Sequence, residues 1–288
     1  MMYWLRHRTA YGYAHTVDLA AHLLHLKPRA LPGQRVVSAR LTCLPKPDHH
    51  TETHDHFGNV ATRLFLVAPH TGFEVIAESL VEVEFVPPPE ASLTLPWESV
   101  AAQAHGAETA DFLLPTAHVP LLPEATNYAR PSFPAGRPVL EGLLELNRRI
   151  RQEFVFQAGV TSITTPITEV LRDRRGVCQD FTQVMLAGLR GLGLPARYVS
   201  GYVRTRPPPG QTRRRGADQS HAWVSAWLGA GQGWVQLDPT NGIVVRDEHV
   251  ILAWGRDFSD ISPLRGVLLG GGDHQLTVNV DLVPEGAE

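Results

Sequence analysis

The sequence predicts an α+β chain: an N-terminal antiparallel β-sandwich, then a core in which helices precede an antiparallel sheet. Three observations carry this. Residues 73–85 alternate with a period of two, with Phe73, Val75, Ala77, Val81, Val83 and Phe85 on one face and Glu74, Glu78, Glu82 and Glu84 on the other, as in a strand with one wet face. From Cys178 onward, Phe181, Val184, Met185, Leu189 and Leu192 recur at helical spacing. Beyond that helix, residues 196–203, 222–228, 233–237 and 275–283 read as strands.

The elements follow in order. Val37, Ala39, Leu41 and Cys43 alternate in an early strand, and residues 59–67 supply another after the turn at 57–59. Several short strands separated by turns suggest a small sandwich. Pro87, Pro88 and Pro89 end this region, since proline cannot donate to a ladder. Residues 90–138 are Pro- and Ala-rich and read as a connector with short helical pieces, such as 97–104. Leu140, Leu143, Leu144, Leu146, Ile150 and Phe154 mark a helix over 139–156, and a short helix follows Pro166 through Leu171. Gly191, Gly193 and Pro195 stop the helix that begins at Cys178. Residues 204–215 are a polar, proline-rich loop. The expected division is residues 1–89 for the β domain, 90–138 for the connector and 139–288 for the core.

Composition bounds the function. The chain has 288 residues, 43% hydrophobic and 19% charged, which is enough to bury a core. A formal net charge of -3 gives no bulk pull toward nucleic acid or anionic membrane. No apolar run approaches the ~18 residues of a span, and the N-terminus lacks the pattern of a secretory leader. Two cysteines, Cys43 and Cys178, exclude a disulfide framework and fit a reducing compartment, so the cytoplasm is expected.

Cys178 stands where a helix begins, facing unsatisfied backbone N–H groups and the positive end of the dipole. Both favour thiolate, the reactive form, and the same N–H groups suit a developing oxyanion. His221, Trp223, Ser225 and Trp227 share one face of a strand that turns at 229–232 and returns through Asp238. If Leu228 pairs with Gly233, Trp223 lies opposite Asp238 and His221 opposite Thr240. Asp238 is then a diagonal neighbour of His221, about 7–8 Å away by backbone and within side-chain reach. A carboxylate there would hold one imidazole nitrogen and leave the other for the thiol. Nucleophile, base and orienting group are thus Cys178, His221 and Asp238. Taken singly, each has a bland reading: an inert buried thiol, a strand histidine, a turn aspartate.

Together the blocks GVCQDF around Cys178, SHAW around His221 and LDPTN around Asp238 resemble the three signature blocks of the transglutaminase-like superfamily, in order and in spacing. DHFGN (55–59), TPITE (165–169), LPARYVSGY (194–202) and GRDFSD (255–260) extend the resemblance to bacterial members that carry a β domain ahead of the core. The resemblance implies a papain-like core, no cofactor, no metal, and a thioester formed on Cys178 from a peptide or protein substrate. Gln179 stands where animal transglutaminases carry tryptophan, and no counterpart of their upstream oxyanion-stabilising tryptophan is evident. Hydrolysis by a protease, peptidase or deamidase is therefore at least as expected as crosslinking. A non-catalytic binding protein of the same fold and acetyl transfer from a thioester donor are the alternatives.

Around the three central residues, Gln179, Asp180, Trp223, Arg256 and Asp257 are expected to meet substrate, with Asp260 beside them at the rim. Trp227 and Trp234 are expected in the core. The histidine-rich stretch 49–56 has the residue types of a metal site, but its place between strands favours a solvated hairpin. Cys43 reads as inert packing and Arg213–Arg215 as a solvated loop. Nothing in the sequence fixes the oligomeric state.

Overall fold

The computed structural model describes residues 1–84, 86–205 and 218–286. Phe85 and residues 206–217, which include most of the proline-rich loop and Arg213–Arg215, lie outside the described residues.

The chain begins with β1 (Met2–Leu24), β2 (Gln34–Leu44), β3 (His49–His54), β4 (Val60–Leu66) and β5 (His70–Val83). Three helices follow, α1 (Trp97–Gln103), α2 (Pro123–Ala129) and α3 (Val139–Glu153). Next come β6 (Val155–Phe156), α4 (Ile167–Asp173), β7 (Arg175–Gly176) and α5 (Cys178–Gly191). The last elements are β8 (Ala196–Val203), β9 (Gln219–Trp227), β10 (Trp234–Asp238), β11 (Ile243–Val244), β12 (His249–Gly255), β13 (Leu264–Gly270) and β14 (His274–Pro284).

The N-terminal strands form one curled antiparallel sheet, in order β2-β5-β1-β4-β3, where turn spacing had suggested a sandwich of two sheets. The cause is β1. Its first half pairs with β5 and its second with β4, with the register broken between Gly12 and Val17. A strand that changes partners midway bends the sheet around its own apolar face, where Tyr13, Val17, Leu24, Leu66, Phe73 and Val75 form a core. The predicted alternation in β5 holds. In β2 the register shifts between Val36 and Ser38, a bulge that leaves Val37 exposed.

The run at 275–283 is a strand as expected, but it pairs with β1 rather than with the core sheet, and β13 does the same. Sequence periodicity fixes which face of a strand is apolar, not which distant strand it joins. Tyr3, Leu5, Val81, Val83, Val280 and Leu282 accordingly share one hydrophobic cluster with the helices.

The second sheet is antiparallel in order β11-β10-β9-β8-β12. Helix α5 lies against β8 and β9 and is buried from Asp180 through Arg190, as a helix apolar around most of its circumference must be. Helix α3 ends at Glu153, short of the expected 156, because Val155 and Phe156 pair with β7 instead. Helix α2, inside the expected connector, buries Ala125, Tyr128 and Ala129 and packs against α5.

Candidate active site

Cys178 is the first residue of α5, preceded by Val177 in extended conformation. Asp180, third in the helix, turns back to accept the Val177 backbone N–H at 2.8 Å and the Thr161 hydroxyl at 2.7 Å. This fixes the entry angle of the chain into the helix. Burial raises the Asp180 carboxyl and those two hydrogen bonds oppose the rise. Gly176 is required here, since a Cβ at that position would sit 2.5 Å from Asp180 Oδ2.

The β9–β10 hairpin has the register expected from sequence. Leu228 N–H donates to Gly233 O at 2.8 Å, Trp234 faces Trp227 and Leu237 faces Val224. Continuing that register sets Asp238 one diagonal step from His221. Their side chains meet, His221 Nε2 lying 2.8 Å from Asp238 Oδ2. Cys178 lies close enough to His221 to act on the imidazole's charge. Because the carboxylate takes Nε2–H, Nδ1 is left for the sulfur. Burial alone would lower the His221 pKa. The bonds to Asp238 and Cys178 and their charges reverse this and raise it to about 10.

Asp238 has no exposed surface. Its Oδ1 accepts the backbone N–H groups of Thr240 (3.0 Å) and Asn241 (3.2 Å), in a turn closed by Gly242 N–H on Asp238 O. Its Oδ2 accepts Asn241 Nδ2 at 2.6 Å, His221, and a residue that sequence reasoning missed, His249, at 3.3 Å. Burial raises this carboxyl, but the two imidazoles and Asn241 together hold it well below the usual carboxylate range. His249, buried on β12, belongs to an evident strand pattern, HVILAW, but its approach to Asp238 depends on β12 pairing with β8.

The ligand atoms of His221, Asp238 and His249 lie within 4.8 Å of one another, the spacing of a three-ligand metal set. Oδ2 already accepts from both imidazoles and Asn241, so hydrogen bonding accounts for the cluster. The 49–54 histidine stretch forms β3, exposed along its length.

Trp223 corrects an expectation. It is fully buried and offers substrate no surface. Its indole N–H donates to Gln236 Oε1 at 2.7 Å, and its ring packs edge-on to His249 with centroids 5.3 Å apart. Gly201 makes room for it, since a Cβ there would lie 2.5 Å from the ring. Trp227 is buried as expected, whereas Trp234 is half-buried under the Arg197 guanidinium, 3.5 Å from the ring centroid. Asp180 and Asp257 are also buried and structural rather than substrate-facing. Asp257 Oδ1 accepts the backbone N–H and hydroxyl of Ser259. Arg256 is partly exposed but tied to Asp260 at 2.9 Å. Of the five flanking residues, Gln179 and Asp180 share the first helical turn with Cys178, and Gln179 is the partly exposed one of the two. Cys43 packs beside the N-terminal core, and burial raises its thiol to about 11.

A cysteine at a helix N-terminus, a histidine near it and a buried carboxylate bonded to that histidine are the residue types of thiol chemistry. The profile described as bacterial transglutaminase-like N-terminal region matches residues 3–82, and that of the transglutaminase-like superfamily matches residues 127–239. An uncharacterized protein of Mycobacterium tuberculosis is 37% identical over 98% of this chain and 92% of its own length. One of Mycobacterium leprae is 31% identical over 96% of each. The chain belongs to the transglutaminase-like superfamily. A Pseudomonas aeruginosa protein-glutamine gamma-glutamyltransferase is 38% identical over 68 residues, covering 23% of this chain and 10% of that enzyme. The crystal structure of a candidate cysteine protease from Cytophaga hutchinsonii superposes with a TM-score of 0.77 at 20% identity, covering all of this chain and 92% of that one.

Proposed function

We propose that the protein is a cysteine-dependent amide- or peptide-bond hydrolase or acyl transferase, with Cys178 as nucleophile, His221 as general base and acid, and Asp238 as the group that orients His221. The observation that carries this is the 2.8 Å bond from His221 Nε2 to a fully buried Asp238, with Cys178 near enough to raise the same imidazole.

The steps follow from these groups. His221 Nδ1 takes the thiol proton and the sulfur attacks a carboxamide or peptide carbonyl. The imidazolium then returns its proton to the departing nitrogen, leaving a thioester on Cys178. Water or an amine, deprotonated in turn by His221, releases the acyl group. Asp238 stabilises the His221 imidazolium until it gives up its proton, in keeping with the raised pKa of His221. Gln179 replaces the tryptophan of animal transglutaminases, so hydrolysis is at least as expected as protein crosslinking, with a peptide or protein as substrate.

The test is mass spectrometry of the protein incubated with a peptide library and a primary amine. Cleaved, deamidated and amine-adducted products separate the reaction types, and Cys178→Ala should remove all of them. Products undiminished in that variant would overturn the assignment. Acetyl transfer would instead appear as acetylation dependent on a thioester donor.

A further inference from the structure

Residues 155–163 carry four large apolar side chains that the fold leaves in solvent: Val155 (58% exposed), Phe156 (51%), Val160 (44%) and Ile163 (53%). Scattered apolar residues on a surface need no explanation, but four within nine consecutive positions is a concentration, and Phe156 stands on the opposite face of β6 from Val155. The segment is held in place. Its start is strand β6, paired in parallel with β7 so that Val155 faces Arg175 and Phe156 faces Gly176. Gln157 N–H donates to Gly176 O at 2.9 Å, and the Thr161 hydroxyl to Asp180 Oδ2 at 2.7 Å. Ser162 N–H donates to Thr165 Oγ1 at 2.9 Å.

The anchors on Gly176 and Asp180 lie within two residues of Cys178. Backbone alternation adds a direction. Gly176 and Val177 are extended, so Cys178 leaves the chain on the side of Gly176's missing side chain. Phe156, in register with Gly176, stands on that same side. These bonds fix the segment to the stretch of chain that carries Cys178.

We infer that this segment is the apolar wall of the acyl-donor subsite, and that the substrate is an extended peptide with a large apolar side chain next to the carbonyl that Cys178 attacks. The inference rests on Cys178 being the nucleophile. Apolar contact of this kind discriminates by about 10–200-fold.

The experiment uses two peptidyl vinyl sulfones that differ only in carrying leucine or asparagine next to the electrophile. The Cys178 thiolate adds to the β-carbon of the vinyl group, forming the C–S bond, and the His221 imidazolium protonates the α-carbon. Iodoacetamide, too small to reach the wall, runs in parallel. The leucine probe should inactivate at least tenfold faster than the asparagine probe. In Phe156→Ser/Ile163→Ser that preference should vanish while the iodoacetamide rate at Cys178 stays as it was. Val160→Asp, at an exposed position, should weaken the preference independently if the double variant does not fold. Equal rates for the two probes, or a preference that survives both variants, would overturn the inference while leaving the catalytic reading intact. Iodoacetamide reacting no faster at Cys178 than at Cys43 would overturn both. Concentration-dependent self-association lost in the double variant would assign the patch to a second copy of the chain, and so also against this inference.

Discussion

Replacing Asp238 by asparagine keeps the shape of the site and removes its charge. In the wild type, Asp238 Oδ2 accepts from His221, His249 and Asn241, so all three point donors at one oxygen. An asparagine amide turned toward His221 would set donor against donor, forcing the imidazole to accept at Nε2 and place its proton on Nδ1. That proton then faces the sulfur and the ring no longer serves as its base. Burial, the largest influence on His221, would then be opposed by Cys178 alone. The imidazole pKa would fall from about 10 toward its ordinary range, at ~1.4 kcal/mol per pH unit lost. For other triads the corresponding change costs roughly 10⁴ in kcat. The assay is the rate of Cys178 alkylation by iodoacetamide, read by peptide mass spectrometry from pH 5 to 10 with Cys43 as internal control. In the wild type, Cys178 should react rapidly at pH 6 and far faster than Cys43, whose thiol is raised to about 11. In Asp238→Asn the pH 6 rate should fall at least a hundredfold. Identical pH–rate profiles for the two proteins would refute the reasoning, because the carboxylate would then have no hold on the reacting pair.

His249→Leu should lower the alkylation rate at pH 6 by about tenfold through loss of one donor on Asp238, whereas His249→Gln, which keeps a donor, should recover most of it. Equal rates in the two variants would make His249 packing only. Gly201→Ala should cost more than ~2 kcal/mol in denaturant unfolding, because its Cβ would fall 2.1 Å from Val250 O and 2.5 Å from the Trp223 ring. Stability should also carry the signature of the pair. His221 is raised, so its contribution is full below about 6.5 and is lost as pH rises through about 10; Asp238 is lowered, so its contribution is present above ~3.9 and is lost as pH falls. The Tm difference between wild type and His221→Gln, measured by calorimetry, should therefore be largest near pH 5–6 and shrink toward pH 10.

The contact of His221 with Asp238 and the place of Cys178 at a helix start were legible because their signals are local: a hairpin whose register follows from its turn, and the onset of a helical period. Trp223 was misplaced because alternation gives the face of a strand and not what covers that face. The face shared by His221 and Trp223 is covered by β12 and the N-terminal sheet, which brings His249 and Ile251 against it. Asp180 and Asp257 look like ligand-binding acids in sequence. In space each satisfies backbone donors in its own turn, a role that leaves no trace in periodicity. The curled sheet was hidden for a different reason. β13 and β14 join β1 from more than 240 residues away, and no local pattern encodes a partner at that distance.

Contacts from the N-terminal region also reach β12, the strand that carries His249. The DHFGN turn is built around Asp55, whose Oδ1 accepts the backbone N–H groups of Phe57 and Asn59. Asn59 in turn grips β12, donating to Trp254 O at 2.8 Å and accepting Trp254 N–H at 2.9 Å. Arg29 lies over the Trp254 ring, 3.3 Å from its centroid, and Gln34 brackets the Ile251 backbone through both ends of its amide. These contacts hold the strand that carries His249, and His249 holds Asp238 Oδ2. The consequence is testable at Asn59, which lies far along the chain from the thiol. Asn59→Ala leaves two backbone groups of Trp254 without their partner, at a cost of ~1–3 kcal/mol each when buried. If β12 transmits the strain, the variant should slow Cys178 alkylation at pH 6 as well as lower Tm, and should do neither additively with His249→Leu. Full additivity in that double variant would separate the N-terminal sheet from the chemistry and leave it a purely structural partner.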